Sequence, residues 1–105
     1  MKAPEAKFFV GQLVHHKLFD YRGVVVDVDP SFQGSEEWYQ SIALSRPPRN
    51  EPCYHILVHG AIHRTYVPEL NLEPDHVGEP IEHPEIGYFF DDFKNGAYIT
   101  HRATN

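Results

Sequence analysis

The stretch PCYHILVHGAIHRTYVPE, residues 52–69, decides how this chain folds. It spaces His55, His59 and His63 four residues apart. On a helix that spacing would align three imidazoles on one face, as a metal site would want. The surrounding residues argue for strands instead. Residues 54–58 and 63–67 are rich in Val, Ile, Thr and Tyr, with Gly60-Ala61 as a turn centre between them. Gly60 can take the positive φ such a turn needs. A hairpin about this centre sets His59 opposite Ile62, Val58 opposite His63 and His55 opposite Tyr66. Side chains then alternate. His55 and His59 share one face with Leu57, Arg64 and Tyr66, while His63 joins Tyr54, Ile56, Val58, Thr65 and Val67 on the other. The helical triad breaks apart, leaving Cys53, His55 and His59 as the only close set. A zinc site needs three or four convergent ligands, and no CxxC or HExxH spacing is present. The expectation is no metal and no cofactor, with a histidine-rich metal protein as the most distant alternative.

Upstream, KFFVGQLVHHKLFDYRGVVVDVDP (7–30) is also β in character. Val24, Val25, Val26 and Val28 lie in a run too short for a typical helix, and Asp29-Pro30 stops it. Asp27 and Asp29 are two apart, so a regular strand points both to one face. The next stretch, 31–52, changes character. Ser35 can cap a short helix near 35–44, with Glu36 and Glu37 at its positive end and Trp38, Tyr39, Ile42 and Ala43 along one side. Pro47 and Pro48 end it, between Arg46 and Arg49. Downstream of the hairpin, a short strand is expected around 70–73. Apolar clusters at Ile81 and Ile86–Phe90 then wrap the core, and Asn95-Gly96 marks a turn before an extended piece at 97–100. The pattern predicts a small all-β protein of about five strands, closed into a small barrel, with one short helical insertion near 35–44.

The chain has 105 residues and divides into a flexible lead (1–7), one domain (8–100) and a short tail (101–105). Its net charge of −6 argues against broad phosphate binding. Eight histidines would carry that charge to +2 if all were protonated. One cysteine, Cys53, allows no internal disulfide, so a reducing compartment fits. No apolar run approaches the ~20 residues of a membrane span. A cytoplasmic, non-enzymatic protein is expected, since no phosphate loop, nucleophile elbow or dinucleotide fingerprint occurs. A small basic edge is expected at His15, His16, Lys17 and Arg22, completed by Arg46 and Arg49.

KFFVGQLVHHKLFDYRGVVVDVDPSF, EEWY, PCYHILVHG and TYVPELNL occur in that order. Together they resemble the HspQ family, also called the YccV-like or hemimethylated-DNA-binding domain family, over roughly residues 7 to 98. Gly11, His16, Tyr21, Gly23, Asp27, Asp29 and Pro30 fall at its signature positions. So do Trp38, Tyr39, Tyr54, His55, Thr65, Tyr66, Glu69 and Leu72. Cys53 departs from it, since a Trp often stands there. The resemblance implies an SH3-like β-barrel and a heat-shock-linked bacterial protein. It further implies modulation of an ATP-dependent protease of the Lon type or capture of its protein substrates, binding of hemimethylated DNA, and self-association, with a trimer as one form. The surface favoured for a protein partner is Trp38, Tyr39, Tyr54, His55, Tyr66 and Glu69. The DNA alternative rests on His15, His16, Lys17, Arg22, Arg46 and Arg49.

Overall fold

A computed structural model describes residues 6–31 and 51–100. The expected helix near 35–44, with Trp38 and Tyr39, lies outside the described residues, as do Arg46 and Arg49. Within them, the strands run β1 (Leu13–His16), β2 (Arg22–Asp29), β3 (Cys53–Val58), β4 (Arg64–Pro68) and β5 (Leu72–Pro74). A 3-10 turn (Glu69–Asn71) joins β4 to β5. A four-residue helix, α1 (Ile86–Phe89), leads into a second hairpin, β6 (Phe90–Lys94) and β7 (Ala97–Thr100). The first five strands form one antiparallel sheet in the order β4-β3-β2-β1-β5, and β6-β7 form a separate two-stranded sheet.

The expected closed barrel is corrected here: the five-stranded sheet does not close. Its edge strands β4 and β5 are linked by the 3-10 turn and do not pair with each other. The sheet curls instead. Tyr21, between β1 and β2, reaches across to Thr65 on β4 with a hydroxyl–hydroxyl hydrogen bond of 2.7 Å. The hairpin register agrees with the sequence expectation: His55 faces Tyr66, Tyr54 faces Val67 and Ile56 faces Thr65.

Both faces of the sheet are covered. Phe8, Val14, Val25, Tyr54, Ile56, Val67 and Leu72 pack on the concave side. Leu13, Val24, Val26 and Leu57 point the other way and meet Ile81, Phe90 and Tyr98 from the C-terminal segment. Each fully buried aliphatic side chain contributes about 1.5–3 kcal/mol relative to exposure. The C-terminal hairpin is locked on by backbone bonds. Tyr98 N–H donates to the Gly11 carbonyl at 2.8 Å, and Gly11 N–H donates to the Val25 carbonyl at 2.8 Å. Gly11 has φ +99°, and a Cβ there would lie 2.3 Å from the Tyr98 oxygen, so only glycine fits.

A bulge between Val25 and Asp27 sets the outer surface of β2. Without it, Asp27 and Asp29 would share the parity of Val25 and point into the concave core. With it, Val26 stays with Val24 on the second face while the parity beyond it reverses: Val28 packs toward the concave core, and Asp27 pairs with His55.

The buried carboxylate Glu69 fastens the N-terminal stretch. It accepts from the Tyr54 hydroxyl and from the Lys7 N–H, the latter at 2.8 Å. The Tyr54 hydroxyl in turn accepts from the Phe8 N–H at 3.3 Å. Burial, followed by the bond to Glu69, raises the phenol far above its ordinary range, so Tyr54 stays neutral.

Gly23 gives a direct check of this packing. A Cβ there would sit 2.4 Å from Ile56 Cγ2 and 2.6 Å from the Leu57 carbonyl oxygen. Gly23→Ala is expected to cost at least about 1–3 kcal/mol by overpacking. Gly87→Ala, where a Cβ would meet open space, is expected to be near neutral. Urea denaturation of both variants measures the difference.

Candidate functional site

The β1–β2 turn, residues 17–20, is positioned by two adjacent histidines. His15 lies on the strand flank with Asp20 Oδ1 2.6 Å from Nε2 and Glu73 Oε2 2.7 Å from Nδ1. Ionised carboxylates only accept, so both ring nitrogens must donate and His15 is an imidazolium. The bonds to Asp20 and then Glu73 raise its pKa above the ordinary histidine value. His16 is buried. Its Nδ1 accepts the backbone N–H groups of Leu18 and Phe19, each at 3.1 Å, which requires the neutral ring. Burial, then the neighbouring His15, lowers its pKa. The His16 ring also lies 4.8 Å from Phe19 and 5.0 Å from Tyr21, centroid to centroid.

This turn carries Leu18 and Phe19 outward, 57% and 69% exposed. Beside it lies an open groove of about 450 Å³ lined by His16, Phe19, Tyr21 and the β4 residues 64–67. Among the described residues, β4 pairs only with β3, so its outer edge borders the groove. The arrangement combines aromatic surface, an arginine (Arg64) and an open strand edge. Such a combination suits an extended polypeptide.

The opposite, outward face of β2-β3-β4 carries a polar cluster. The Tyr66 hydroxyl donates to Asp29 Oδ2 at 2.7 Å, and His55 Nε2 lies 3.3 Å from the same oxygen. The His55 and Tyr66 rings are 4.6 Å apart. With Asp27, Asp29 and His55 bring donor atoms within 4.8 Å of one another, the one metal-type grouping among the described residues. Asp29 Oδ2 is shared by Tyr66 and His55, and Asp27 Oδ1 accepts the Val28 N–H at 2.9 Å. His55, His59 and His63 do not converge: His63 is exposed before β4, and His59 Nδ1 accepts the Glu82 N–H at 2.9 Å. Cys53 is buried, and burial pushes its thiol up to about 11, so it supplies neither a thiolate nucleophile nor a ready ligand.

The structure thus separates the residues expected to meet a protein partner. Tyr54 and Glu69 are buried and serve the core, whereas His55 and Tyr66 sit half-exposed on the outer face. Leu18 and Phe19, missed by sequence reasoning, are exposed large apolar residues beside the groove, as Ile62 and Tyr88 are elsewhere on the surface. Their only signal was two large apolar residues in a turn before Asp20, whose φ is +55°.

Among the described residues, the expected basic edge of His15, His16, Lys17 and Arg22 is not a set of free cations. Arg22 makes a bidentate pair with Asp75 at 2.9 and 3.2 Å and donates to the Glu79 carbonyl at 2.6 Å. Burial works against the Asp75 carboxylate, but Arg22 and the Gly78 and Val77 N–H groups outweigh it and hold its pKa below the usual range. His15 is offset by two carboxylates, and His16 is neutral and buried. Among the described residues of this group, Lys17 alone is exposed without an ion pair.

A double-mutant cycle on His55→Ala and Tyr66→Phe tests the outer cluster. Tilted rings in contact that share one carboxylate are expected to couple by about 0.5–1.5 kcal/mol in thermal or urea unfolding. Strict additivity would mean that the two residues act independently.

Against this geometry, one comparison identifies the fold's kin. A family model described as "Hemimethylated DNA-binding protein YccV like" matches residues 6–97, nearly the whole chain. It spans the five-stranded sheet and β6, and ends at the first residue of β7. The chain belongs to the YccV-like family.

Proposed function

We propose that this protein is a non-enzymatic, cytoplasmic, heat-shock-linked module that binds polypeptide and modulates ATP-dependent proteolysis of the Lon type. The observation that carries the proposal is the pair Leu18 and Phe19, held exposed on a fastened turn beside an aromatic groove and an open β4 edge. Exposed aromatic anchors next to a strand edge favour β-augmentation: main-chain bonds supply affinity and neighbouring pockets supply selectivity. An extended, partly apolar segment of the protease or of its substrate fits that surface. The net charge of −6 further favours protein over phosphate backbone as partner.

Reconstituted degradation of a loosely folded substrate by a Lon-type protease tests the proposal. Adding the protein should change the rate, and Leu18→Ala/Phe19→Ala should remove at least about nine-tenths of that change. Exposed surface substitutions normally shift stability by no more than about 0.5 kcal/mol, so the double variant should stay folded. No effect of the wild type, or an undiminished effect of a folded double variant, would contradict it.

The family description supports a second role, binding of hemimethylated DNA. That role predicts a hemimethylated duplex bound more tightly than its unmethylated counterpart, with affinity falling steeply as salt rises. A mobility shift absent at low salt would remove it.

A further inference from the structure

His15 and His16 sit side by side in the chain yet hold the same turn in opposite protonation states. His15 must be cationic to donate from both ring nitrogens, to Asp20 on the turn and to Glu73 on β5. His16 must be neutral to accept from the Leu18 and Phe19 N–H groups. The two contacts fix opposite ends of one short segment. Asp20 is held in the left-handed region at φ +55°, a conformation disfavoured for a residue with a Cβ. Its N–H also closes the turn onto the His16 carbonyl at 2.9 Å.

We infer that this histidine pair is a pH gate on the groove, presenting the Leu18–Phe19 tip only between the deprotonation of His15 and the protonation of His16. The inference rests on the groove being the polypeptide-binding surface and names its regulation.

The groups facing each ring agree with this assignment. Around His15 stand Asp20 from the turn, Glu73 from β5 and Arg22 from β2, the last already neutralised by Asp75, with His76 at the rim of the same recess. Around His16 stand Phe19 and Tyr21, with Arg64, Thr65 and Tyr66 across the groove and His15 next in sequence. No carboxylate is described against His16. Nothing there rewards its protonation, whereas two carboxylates reward that of His15.

The signs follow from linkage. The His15 clamp is fully present below the unfolded histidine value of about 6.5 and is lost as pH rises through its raised folded value. The His16 acceptor is fully present above about 6.5 and is lost as pH falls through its lowered folded value. The turn is therefore best held in a window spanning weakly acidic to neutral pH. Acid frees the Leu18 and Phe19 N–H groups, and alkali frees Asp20.

Nitrogen-15 NMR of the full chain between about pH 5 and about pH 9 tests the gate. The imidazole signals of His15 and His16 should titrate on opposite sides of about 6.5. The Leu18 and Phe19 amides, corrected for intrinsic exchange, should exchange slowest between the two midpoints. His16→Asn keeps an acceptor near the Nδ1 position and should abolish the acid limb alone. His15→Gln should abolish the alkaline limb alone. Coincident titrations near about 6.5, or turn amides indifferent to pH, would overturn the inference. Binding of reduced, carboxymethylated α-lactalbumin should follow the same window. A window in the amides with no binding at any pH would support the gate and overturn the groove as a polypeptide site.

Discussion

Three consecutive valines, Val24, Val25 and Val26, govern this structure, because all three are buried in one strand. A sheet with one covered face can keep only alternate side chains dry. β2 therefore needs cover on both sides. The curled sheet supplies it on the concave face, where Val25 meets Tyr54 and Ile56. The C-terminal segment supplies it on the other, where Val24 and Val26 meet Ile81, Phe90 and Tyr98. The second hairpin is thus part of the fold's core rather than an appendage. The bulge after Val25 belongs to the same solution, since it turns Val28 toward the concave core and Asp27 and Asp29 away from it.

Carboxylates organise most of what remains polar. Glu69 sits inside and receives Tyr54 and the Lys7 N–H. Asp75 holds Arg22, Asp29 gathers His55 and Tyr66, and Asp20 with Glu73 brackets His15. Asp75, and Asp20 with Glu73, thereby offset the cations Arg22 and His15. Among the described residues, the exposed surface is aromatic and apolar at the β1–β2 turn and acidic on the outer face of β2.

The central hairpin was legible because its signals are local. Gly60-Ala61 centres the turn, flanking β-branched runs alternate, and the pairing of His55 with Tyr66 follows at once. Asn95-Gly96 likewise marked the turn between β6 and β7, although only the second of those strands was foreseen. Barrel closure was over-read, since no local feature tells whether distant edges such as β4 and β5 will pair. The pairing of His15 and Arg22 with carboxylates was hidden for the same reason. Glu73 and Asp75 lie more than fifty positions from the residues they neutralise, and only the pairing of β1 with β5 brings them near. The outer cluster was half-visible: Asp27 and Asp29 were expected on one face, but linking them to His55 required a bulge that no residue announces.

The central claim is that the recess between the 17–20 turn and β4 is the working surface of the molecule. Hydrogen–deuterium exchange with a permanently unfolded polypeptide in excess tests it most directly, because it maps contacts without any substitution. The account predicts added protection in residues 17–21 and along β4 (Arg64–Pro68), with the outer face at Asp27, Asp29 and His55 unchanged. Protection confined to that outer face, or to the β6–β7 hairpin, would contradict it.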